Sequence, residues 1–452
     1  MSTEPARTRS EGTVLEILLS PLRAVERTRG WRRLGLLLLY AAVAVPILAI
    51  LWRRSQLNGL PDVGDTFDLP GPRPAAGVPD DRNAFVPYGR AAEHFRDMSP
   101  AEGRSFSQAN LRWSRADATL RGWVAEHREA ISLLRAGSGR PEAYLERPGL
   151  ASGPSDRAAG QEVIRRLSWI GNAAIFEAGR LRAEGDPAGA WAVLKAVVRV
   201  SRDMERALPT AWCRTTAIIL VQFAREPVAE WAGDGSVGIP LLRQALDDLA
   251  AIEPLTPPLS HFYRGEYEAA DESMEDLSPR IAARAQPRSD AGTFDPSAFA
   301  PGLAAFLRGE PERSRRVLRL LAANDLAWCD RPIIDRPAWA VPRLRIYEPN
   351  PSAPPASRAL PPGELARWAE SALIDPAPPW RTGDIEKGER TDRWSLGQLK
   401  EAVAVPLFTR ETGRPPASPA EALRHYDPIP GDAPDRDEAR PLPEGRDEGP
   451  LR

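Results

Sequence analysis

The sequence predicts a mainly α-helical protein, with one N-terminal transmembrane helix and an ectodomain of antiparallel helical hairpins joined by Pro-rich loops. Three observations carry this prediction. Residues 34–51 contain no charged side chain. Apolar residues recur at steps of three and four through much of 106–252, the spacing that places them on one helix face. The 47 prolines are clustered between such stretches, where they favour loops over helices.

The apolar run is bounded on both sides by the triplet Trp-Arg-Arg. At about 1.5 Å per residue, a helix over 34–51 is roughly 27 Å long, close to the ~30 Å hydrocarbon core of a bilayer. Tryptophan prefers the headgroup level, and arginine side chains can reach the lipid phosphates. The sequence therefore predicts a transmembrane helix over 34–52, with the lipid bilayer as a partner. The predicted membrane-interface anchors are Trp31, Arg32, Arg33, Trp52, Arg53 and Arg54.

Arginines are denser before the apolar run than after it. By the positive-inside rule, residues 1–33 are a cytoplasmic tail and the C-terminal domain lies outside. This predicts a single-pass protein of the cytoplasmic (inner) membrane with a periplasmic domain. Within the tail, residues 13–29 have an amphipathic pattern, which fits either a helix on the membrane surface or an extension of the span. A signal peptide cleaved near 42–44 is the alternative, but the apolar run continues past that point, which favours an uncleaved anchor.

The remainder of the chain divides by composition. Pro, Gly and Asp dominate the residues after the span, as in an extended stalk. The last residues have almost no apolar content, as in disordered tails. The predicted segments are a Pro/Gly-rich stalk at 53–81, an α-helical hairpin domain at 82–330, a Pro-rich linker without regular structure at 331–363, short C-terminal helices within 364–426 (at 364–374 and 395–411), and a disordered tail at 427–452.

Helical periodicity is clearest over 161–252. Gly185, Asp186 and Pro187 separate two apolar stripes; Asp186 suits a helix cap, and Pro187 suits the first position of a helix. Two more stripes follow Pro209, so we expect four antiparallel helices stacked side by side. The hairpin is similar to a degenerate tetratricopeptide unit, although no second copy recurs at a fixed period. Upstream, one continuous helix face is expected over 106–135, and downstream a helix is expected from about 311 to 328.

Charge and motif content exclude several function classes. A net charge of -2 gives no electrostatic case for nucleic-acid binding. The two cysteines, Cys213 and Cys329, either form a disulfide in an oxidising compartment or remain as buried thiols. No phosphate-binding loop, dinucleotide fingerprint or metal-ligand spacing appears in the sequence, so no cofactor or metal is expected. Acidic residues over 266–276 lack the spacing of a calcium loop and predict a solvated helix face.

Candidate catalytic residues are few. Ser236 lies in GDGSVG, where Asp234 replaces the first glycine of a nucleophile elbow and no strand precedes it. His127 falls on an apolar helix face four residues after Trp123, where a core histidine is more common than a catalytic one. Together with Glu177 and Arg225 it could line a groove between hairpins. These three residues, His127, Glu177 and Arg225, are the candidates for a groove site.

A resemblance to a protein family appears near the C-terminus. The run carrying Gly413, Arg414, Pro416, Ser418 and Leu423 resembles a tail of uncharacterised, membrane-anchored bacterial proteins, and weakly resembles the run after the long helix of type II pseudopilins. Pro415 stands where those sequences usually have an aromatic residue. Residues 83–95, 123–141 and 185–187 also resemble uncharacterised single-pass proteins of planctomycete-type bacteria. The resemblance implies an anchored α-helical ectodomain, with no known activity or catalytic residues.

Two functions remain open from the sequence. The first is a non-enzymatic, membrane-tethered scaffold or interaction domain, which docks an envelope protein at the outer face of the cytoplasmic membrane. The second is a hydrolase or lyase with a groove site between helical hairpins. The lack of a reaction motif favours the first. The identity of the partner or substrate and the oligomeric state do not follow from the sequence.

Overall fold

The computed structural model describes residues 30–59, 78–145, 154–275, 303, 306–310, 312–329, 339–341, 344–345 and 382–426. Across these residues the protein is mainly α-helical, as the sequence predicts. Four predicted features lie outside the described residues: the amphipathic pattern at 13–29, most of the stalk (60–77), the helix at 364–374 and the tail at 427–452.

The α-helices of the described residues are numbered in chain order. They are α1 (Trp31–Asn58), α2 (Phe85–Glu93), α3 (Pro100–Ala109), α4 (Ala118–Glu126), α5 (Arg128–Ser138), α6 (Pro154–Ala183), α7 (Pro187–Ala207), α8 (Ala211–Gly233), α9 (Ile239–Ile252), α10 (Leu259–Glu275), α11 (Glu312–Trp328), α12 (Thr382–Thr412) and α13 (Pro419–Tyr426). Single 3-10 turns occur at Trp113–Arg115 and Glu253–Leu255, and two short strands, β1 (Trp339–Val341) and β2 (Leu344–Arg345), form an antiparallel pair.

Helix α1 contains the predicted span. By length and composition it is the one helix among the described residues that is long and apolar enough to cross a membrane. It continues past the expected boundary at Trp52 to Asn58, so the first six residues of the predicted stalk are helical. The side chain of Arg316 donates to the carbonyl of Leu57 at 3.1 Å, which satisfies one of the free carbonyls of the last turn.

The chain forms two compact units. The first comprises residues 1–63, 274–320 and 367–376 and contains α1; the second comprises 64–273, 321–366 and 377–452. The main hydrophobic core lies in the second unit and is built from α2 to α9 and α12.

The hairpin of α6 and α7 forms as the sequence predicts. Gly185 takes a positive φ of 84°, a conformation that glycine adopts without steric cost. The Asp186 carboxylate caps α7 by accepting from the Gly189 N–H at 2.8 Å, and Pro187 is the first helical residue. Leu167 of α6 and Val197 of α7 are both fully buried, so the two apolar stripes face the core.

The expected row of four helices is altered by the C-terminal part of the chain. Helices α6, α7 and α8 pack against one another, but α9 makes its main contacts with α7 and α12. Helix α12 lies against both α8 and α9, and buries Leu396, Leu399, Val403 and Leu407 in the main core. The sequence expectation of a short helix at 395–411 missed the start of α12 at Thr382, because its first turns carry mostly polar residues.

The expected single helix over 106–135 is divided into several elements. Asn110 and Leu111 adopt positive φ values of 47° and 58° and end α3. Asp117 then starts α4 by accepting from the Leu120 N–H at 2.9 Å. The apolar residues still reach the core, because the breaks turn the chain without changing which side chains are buried.

Two further expectations differ from the structure. Prolines over 331–363 suggested no regular structure, yet β1 and β2 form a short ladder there. Glu266, expected on a solvated face of α10, is buried and accepts a hydrogen bond from the Ala211 N–H at the start of α8.

Cys213 and Cys329 are both free and buried, which decides between the alternatives left open by the sequence.

Candidate functional site

A cleft in the second unit is a concave surface lined by described residues. It holds about 770 Å³ of space, including the part open to solvent. Side chains of α6 and α8 form its walls, and the turn between α3 and α4 forms its edge. Its lining includes Asn110, Arg112, Trp113, Arg182, Phe223, Arg225, Glu226, Glu230 and Trp231.

An ion-pair network crosses the cleft. Arg182 of α6 donates to Glu230 of α8 at 2.9 Å, and Nε of Arg112 lies 3.5 Å from the same carboxylate. Arg112 also pairs with Glu226. These side chains are between about a quarter and half exposed, so each charge has a partner while remaining in contact with solvent. The network ties the turn, α6 and α8 together and leaves no unpaired carboxylate among these four residues.

The turn at the edge of the cleft contains two residues with positive φ. They are the only non-glycine residues of this kind in the described part of the chain. Asn110 and Leu111 adopt the left-handed conformation one after the other, and Leu111 has no polar side chain to stabilise it locally. Such conformations cost free energy and persist only where surrounding contacts hold them. Here the packing of Leu111 on the main core and the ion pairs of Arg112 hold the turn in place.

Apolar side chains continue from the cleft along the surface of α8. Trp212, Ile219 and Phe223 are each about 40% exposed, and their spacing of seven and four residues puts them on one face of the helix. No other large hydrophobic side chain in the described part of the second unit is exposed to this extent. Phe223 also lines the cleft. We call Trp212, Ile219 and Phe223 the α8 stripe.

One signal of this surface is visible in the sequence. The segment around Ile218 to Val221 is apolar on several sides, whereas a helix with one buried face needs apolar residues on that face alone. Ile218, Leu220 and Val221 point into the protein, and Ile219 is left outside. Without the positions of α6, α7 and α12, the sequence could not tell which of these residues would be exposed.

The three candidate groove residues do not meet. Arg225 lines the cleft; it donates to the Gln398 side chain, and its guanidinium lies 5.5 Å from the ring centre of Trp394. Glu177 is buried, pairs with Arg180 at 2.6 Å and with Arg128 of α5 at 3.6 Å, and is not among the residues that line the cleft. His127 is packed in the core. Of the three, the structure therefore places only Arg225 at the cleft.

His127 has a satisfied hydrogen-bonding environment. Its Nδ1 lies 2.7 Å from the Trp123 carbonyl, and its Nε2 accepts from the Arg96 N–H at 3.1 Å. This pair of partners corresponds to a neutral ring protonated at Nδ1. The ring is 1% exposed and packs against Phe95 and Trp123. Both nitrogens are occupied, as in a structural core histidine.

A buried charge cluster joins α7 to α12, and sequence reasoning did not find it. Arg202 is fully buried and makes two hydrogen bonds of 2.8 Å to the Asp392 carboxylate. It also donates to Glu205 at 2.9 Å. The guanidinium of Arg214, from α8, stacks 4.2 Å from the Phe262 ring centre nearby. The four ionisable groups come from three helices, so no sequence pattern of one helix could reveal them.

Burial governs the protonation of this cluster. Removal from water raises the pKa of Glu205 to about 7, and the nearby Asp392 adds to the shift, while Arg202 and Arg214 oppose it. Burial also raises the pKa of the Cys213 thiol, and the charge of Glu205 acts in the same direction. The Cys213 thiol is therefore protonated and unreactive at neutral pH.

The predicted membrane anchors lie at the two ends of α1. Trp31 and Trp52 are exposed at opposite ends of the apolar run, with Arg32, Arg33 and Arg54 also exposed. Arg53 differs, because it is partly buried and donates to the carbonyls of Phe306 and Glu310.

Comparisons with protein-family models, with curated proteins and with solved structures find no match for this chain. Function is therefore inferred from the geometry of the described residues.

Proposed function

We propose that this chain is a single-pass membrane protein whose helical domain binds a partner protein of the cell envelope. In this proposal α1 crosses the cytoplasmic membrane, with the N-terminus inside and the second unit outside. The partner docks on the α8 stripe and the adjoining cleft. The exposed α8 stripe is the observation that carries the binding proposal.

The exposure of α1 supports the anchor. Only 6% of its most apolar stretch is buried within the protein, whereas a core helix of a soluble protein would be mostly buried. Leu38, Leu39 and Val45 are each more than 60% exposed. Leaving such side chains in water is unfavourable, by about 1.5–3 kcal/mol for each one that burial would remove. A hydrocarbon environment removes this cost.

The composition of the α8 stripe supports protein recognition. Aromatic residues contribute most at the centres of protein interfaces, and apolar patches on soluble domains commonly mark such interfaces. The paired charges of the cleft provide a polar rim beside the stripe. Because both sit on helices of the main core, the surface is rigid and needs little ordering on binding.

The environment of His127 does not favour the hydrolase or lyase alternative. A general base needs a free nitrogen within reach of a substrate, whereas both nitrogens of this buried ring have partners. Arg225 at the cleft is a cation with side-chain partners of its own. The interaction proposal is therefore the better supported of the two.

Site-specific photocrosslinking in intact cells tests the binding proposal. A photoreactive side chain at Phe223 should give one discrete adduct with a second protein, and Gln244, exposed on α9, is the control position. The Ile219→Asp substitution should abolish that adduct, because it places a charge in the apolar stripe, while Gln244→Asp should not. Equal adducts at both positions, or an adduct that survives Ile219→Asp, would contradict the proposal.

Cysteine labelling tests the orientation. A cysteine introduced in the predicted stalk between residues 60 and 77 should react with a membrane-impermeant reagent applied to intact cells. A cysteine introduced within residues 1–10 should react only after the membrane is opened. Background should be low because Cys213 and Cys329 are buried. The reverse pattern would place the helical domain in the cytoplasm.

A further inference from the structure

The first unit contains a second apolar surface, at the end of α1. The Arg53 side chain extends away from α1. It donates to the carbonyl oxygen of Phe306 at 2.7 Å and to that of Glu310 at 3.1 Å. Its guanidinium also lies 4.9 Å from the centre of the Phe306 ring. One arginine thus fixes both the backbone and the side chain of this segment against α1.

A second set of contacts lies one helical turn further along α1. Arg316 donates to the Leu57 carbonyl at 3.1 Å and puts a positive charge at the C-terminal end of the helix, where it is favourable. Gly309 lies against the same residue: its φ is 86°, and an added Cβ would approach the Leu57 side chain to 2.8 Å. Residues 306–316 are therefore held to α1 at two successive turns.

These contacts set the depth of Phe306 relative to the apolar run. Arg53 follows Leu51 by two residues, or about 3 Å of rise along the helix. The headgroup layer of one leaflet is roughly 5–7 Å thick, which is half the difference between the whole bilayer and its hydrocarbon core. If α1 spans the bilayer, the Phe306 ring stacked on Arg53 lies within this layer.

The exposed side chains here are of the types that favour that layer. Phe306 and Leu303 are each 42% exposed and are three residues apart. Exposed Trp52 stands at the same end of α1, and Arg54 and Arg308 are exposed cations beside them. Apolar side chains with flanking arginines are the composition of segments that lie in the membrane interface.

We propose that Leu303 and Phe306 insert into the headgroup region of the outer leaflet, beside the end of α1. The inference rests on the proposed transmembrane position of α1, and it adds a second lipid contact from a distant part of the sequence. The occupant of this surface is the lipid bilayer. This contact fixes the first unit on the membrane surface instead of leaving it joined to the bilayer by α1 alone.

Quenching by spin-labelled lipids tests the inference on the full chain in nanodiscs. An environment-sensitive fluorophore is attached to Leu303→Cys or to Val43→Cys within the apolar run. Phosphatidylcholine and phosphatidylglycerol carrying a nitroxide near the headgroup or deep in the acyl chain provide the quenchers. The native thiols are buried, so each variant should carry one label.

We expect the Leu303 probe to lose most of its emission with the shallow nitroxide and much less with the deep one. The Val43 probe should show the opposite order. An unquenched Leu303 probe beside a quenched Val43 probe would overturn this inference and leave the span intact. If both probes were unquenched, the transmembrane proposal and this inference would fail together. As a second reporter, Arg308→Cys should also be quenched by the shallow nitroxide.

Discussion

Arg202 and Asp392 form a two-fold hydrogen-bonded ion pair that is closed off from solvent, although 190 residues separate them in the sequence. The pair fixes α12 to α7 beside the main core. A buried ion pair adds little net stability compared with apolar residues of the same volume, because both charges lose their hydration. Removing one partner is costly, however, since the other charge then stays buried without compensation.

The first prediction concerns this pair. Asp392→Ala should lower the free energy of unfolding by about 3–5 kcal/mol, because it leaves Arg202 buried with only Glu205 as a partner. The control is Arg243→Ala, which removes an exposed cation from its pair with the largely buried Glu411 between α9 and α12 and should cost about 1 kcal/mol at most. Urea unfolding followed by circular dichroism measures both. Similar effects from the two variants would contradict a special role for the buried pair.

The second prediction is a pH dependence from Glu205. Its folded-state pKa is raised to about 7, mainly by burial, whereas in the unfolded chain it is near 4.5. Between these values the folded state holds a proton that the unfolded state has released, so stability falls as pH rises through this range and is level above it. Glu205→Gln should remove this fall. The free energy of unfolding of the variant, relative to that of the wild type, should therefore rise with pH. The rise is at most roughly 1.4 kcal/mol per pH unit between the two pKa values.

Glu102 provides a control of opposite sign. Hydrogen bonding to Arg96 is the main cause that lowers its pKa to about 2. The stability it contributes is present above pH 4.5 and is lost as pH falls towards 2. The deficit of Glu102→Gln relative to the wild type should thus be constant above pH 4.5 and shrink below it. A pH-independent difference for Glu205→Gln would show that the residue is not held in its protonated form.

The third prediction compares two helical glycines. An added Cβ at Gly265 of α10 would overlap the backbone carbonyl of Pro209, which cannot rotate away, whereas Gly103 of α3 has open space around it. Gly103→Ala should stabilise the protein by about 0.5–1 kcal/mol, since alanine favours helices. Gly265→Ala should destabilise it by about 1–3 kcal/mol through overpacking. Thermal unfolding of the two variants measures the difference, and a stabilising Gly265→Ala would mean that α10 does not pack on Pro209.

The fourth prediction concerns the thiols. Cys213 and Cys329 are free and buried, so the folded protein should react with no equivalent of a thiol reagent and the unfolded protein with two. The burial that raises the pKa of Cys213 further slows its reaction in the folded state. The measurement is a titration with a chromogenic disulfide, made on protein purified without reductant, before and after unfolding. Failure to titrate two thiols after unfolding would indicate a disulfide.

Local signals in the sequence identified most of the elements. The apolar run with its two Trp-Arg-Arg triplets identified α1, and Gly185-Asp186-Pro187 identified the turn between α6 and α7. Both depend on interactions within a few residues: helix length, capping and a backbone conformation open to glycine. Where one continuous face was expected over 106–135, periodicity identified the buried residues but missed the breaks, because the Asn110–Leu111 turn is held by contacts with distant residues.

The sequence by itself therefore determined the helical class, the apolar segment long enough to span a bilayer, and the stripes that face the core. Only the tertiary structure decided which surplus apolar residues remain outside. Ile218 and Ile219 are neighbours of equal hydrophobicity, and the first is buried while the second is exposed on the α8 stripe. The structure also decided that Asp392 of α12 is buried against Arg202. Periodicity reports the hydrophobicity of one segment, whereas exposure and ion pairing depend on which other segments lie beside it.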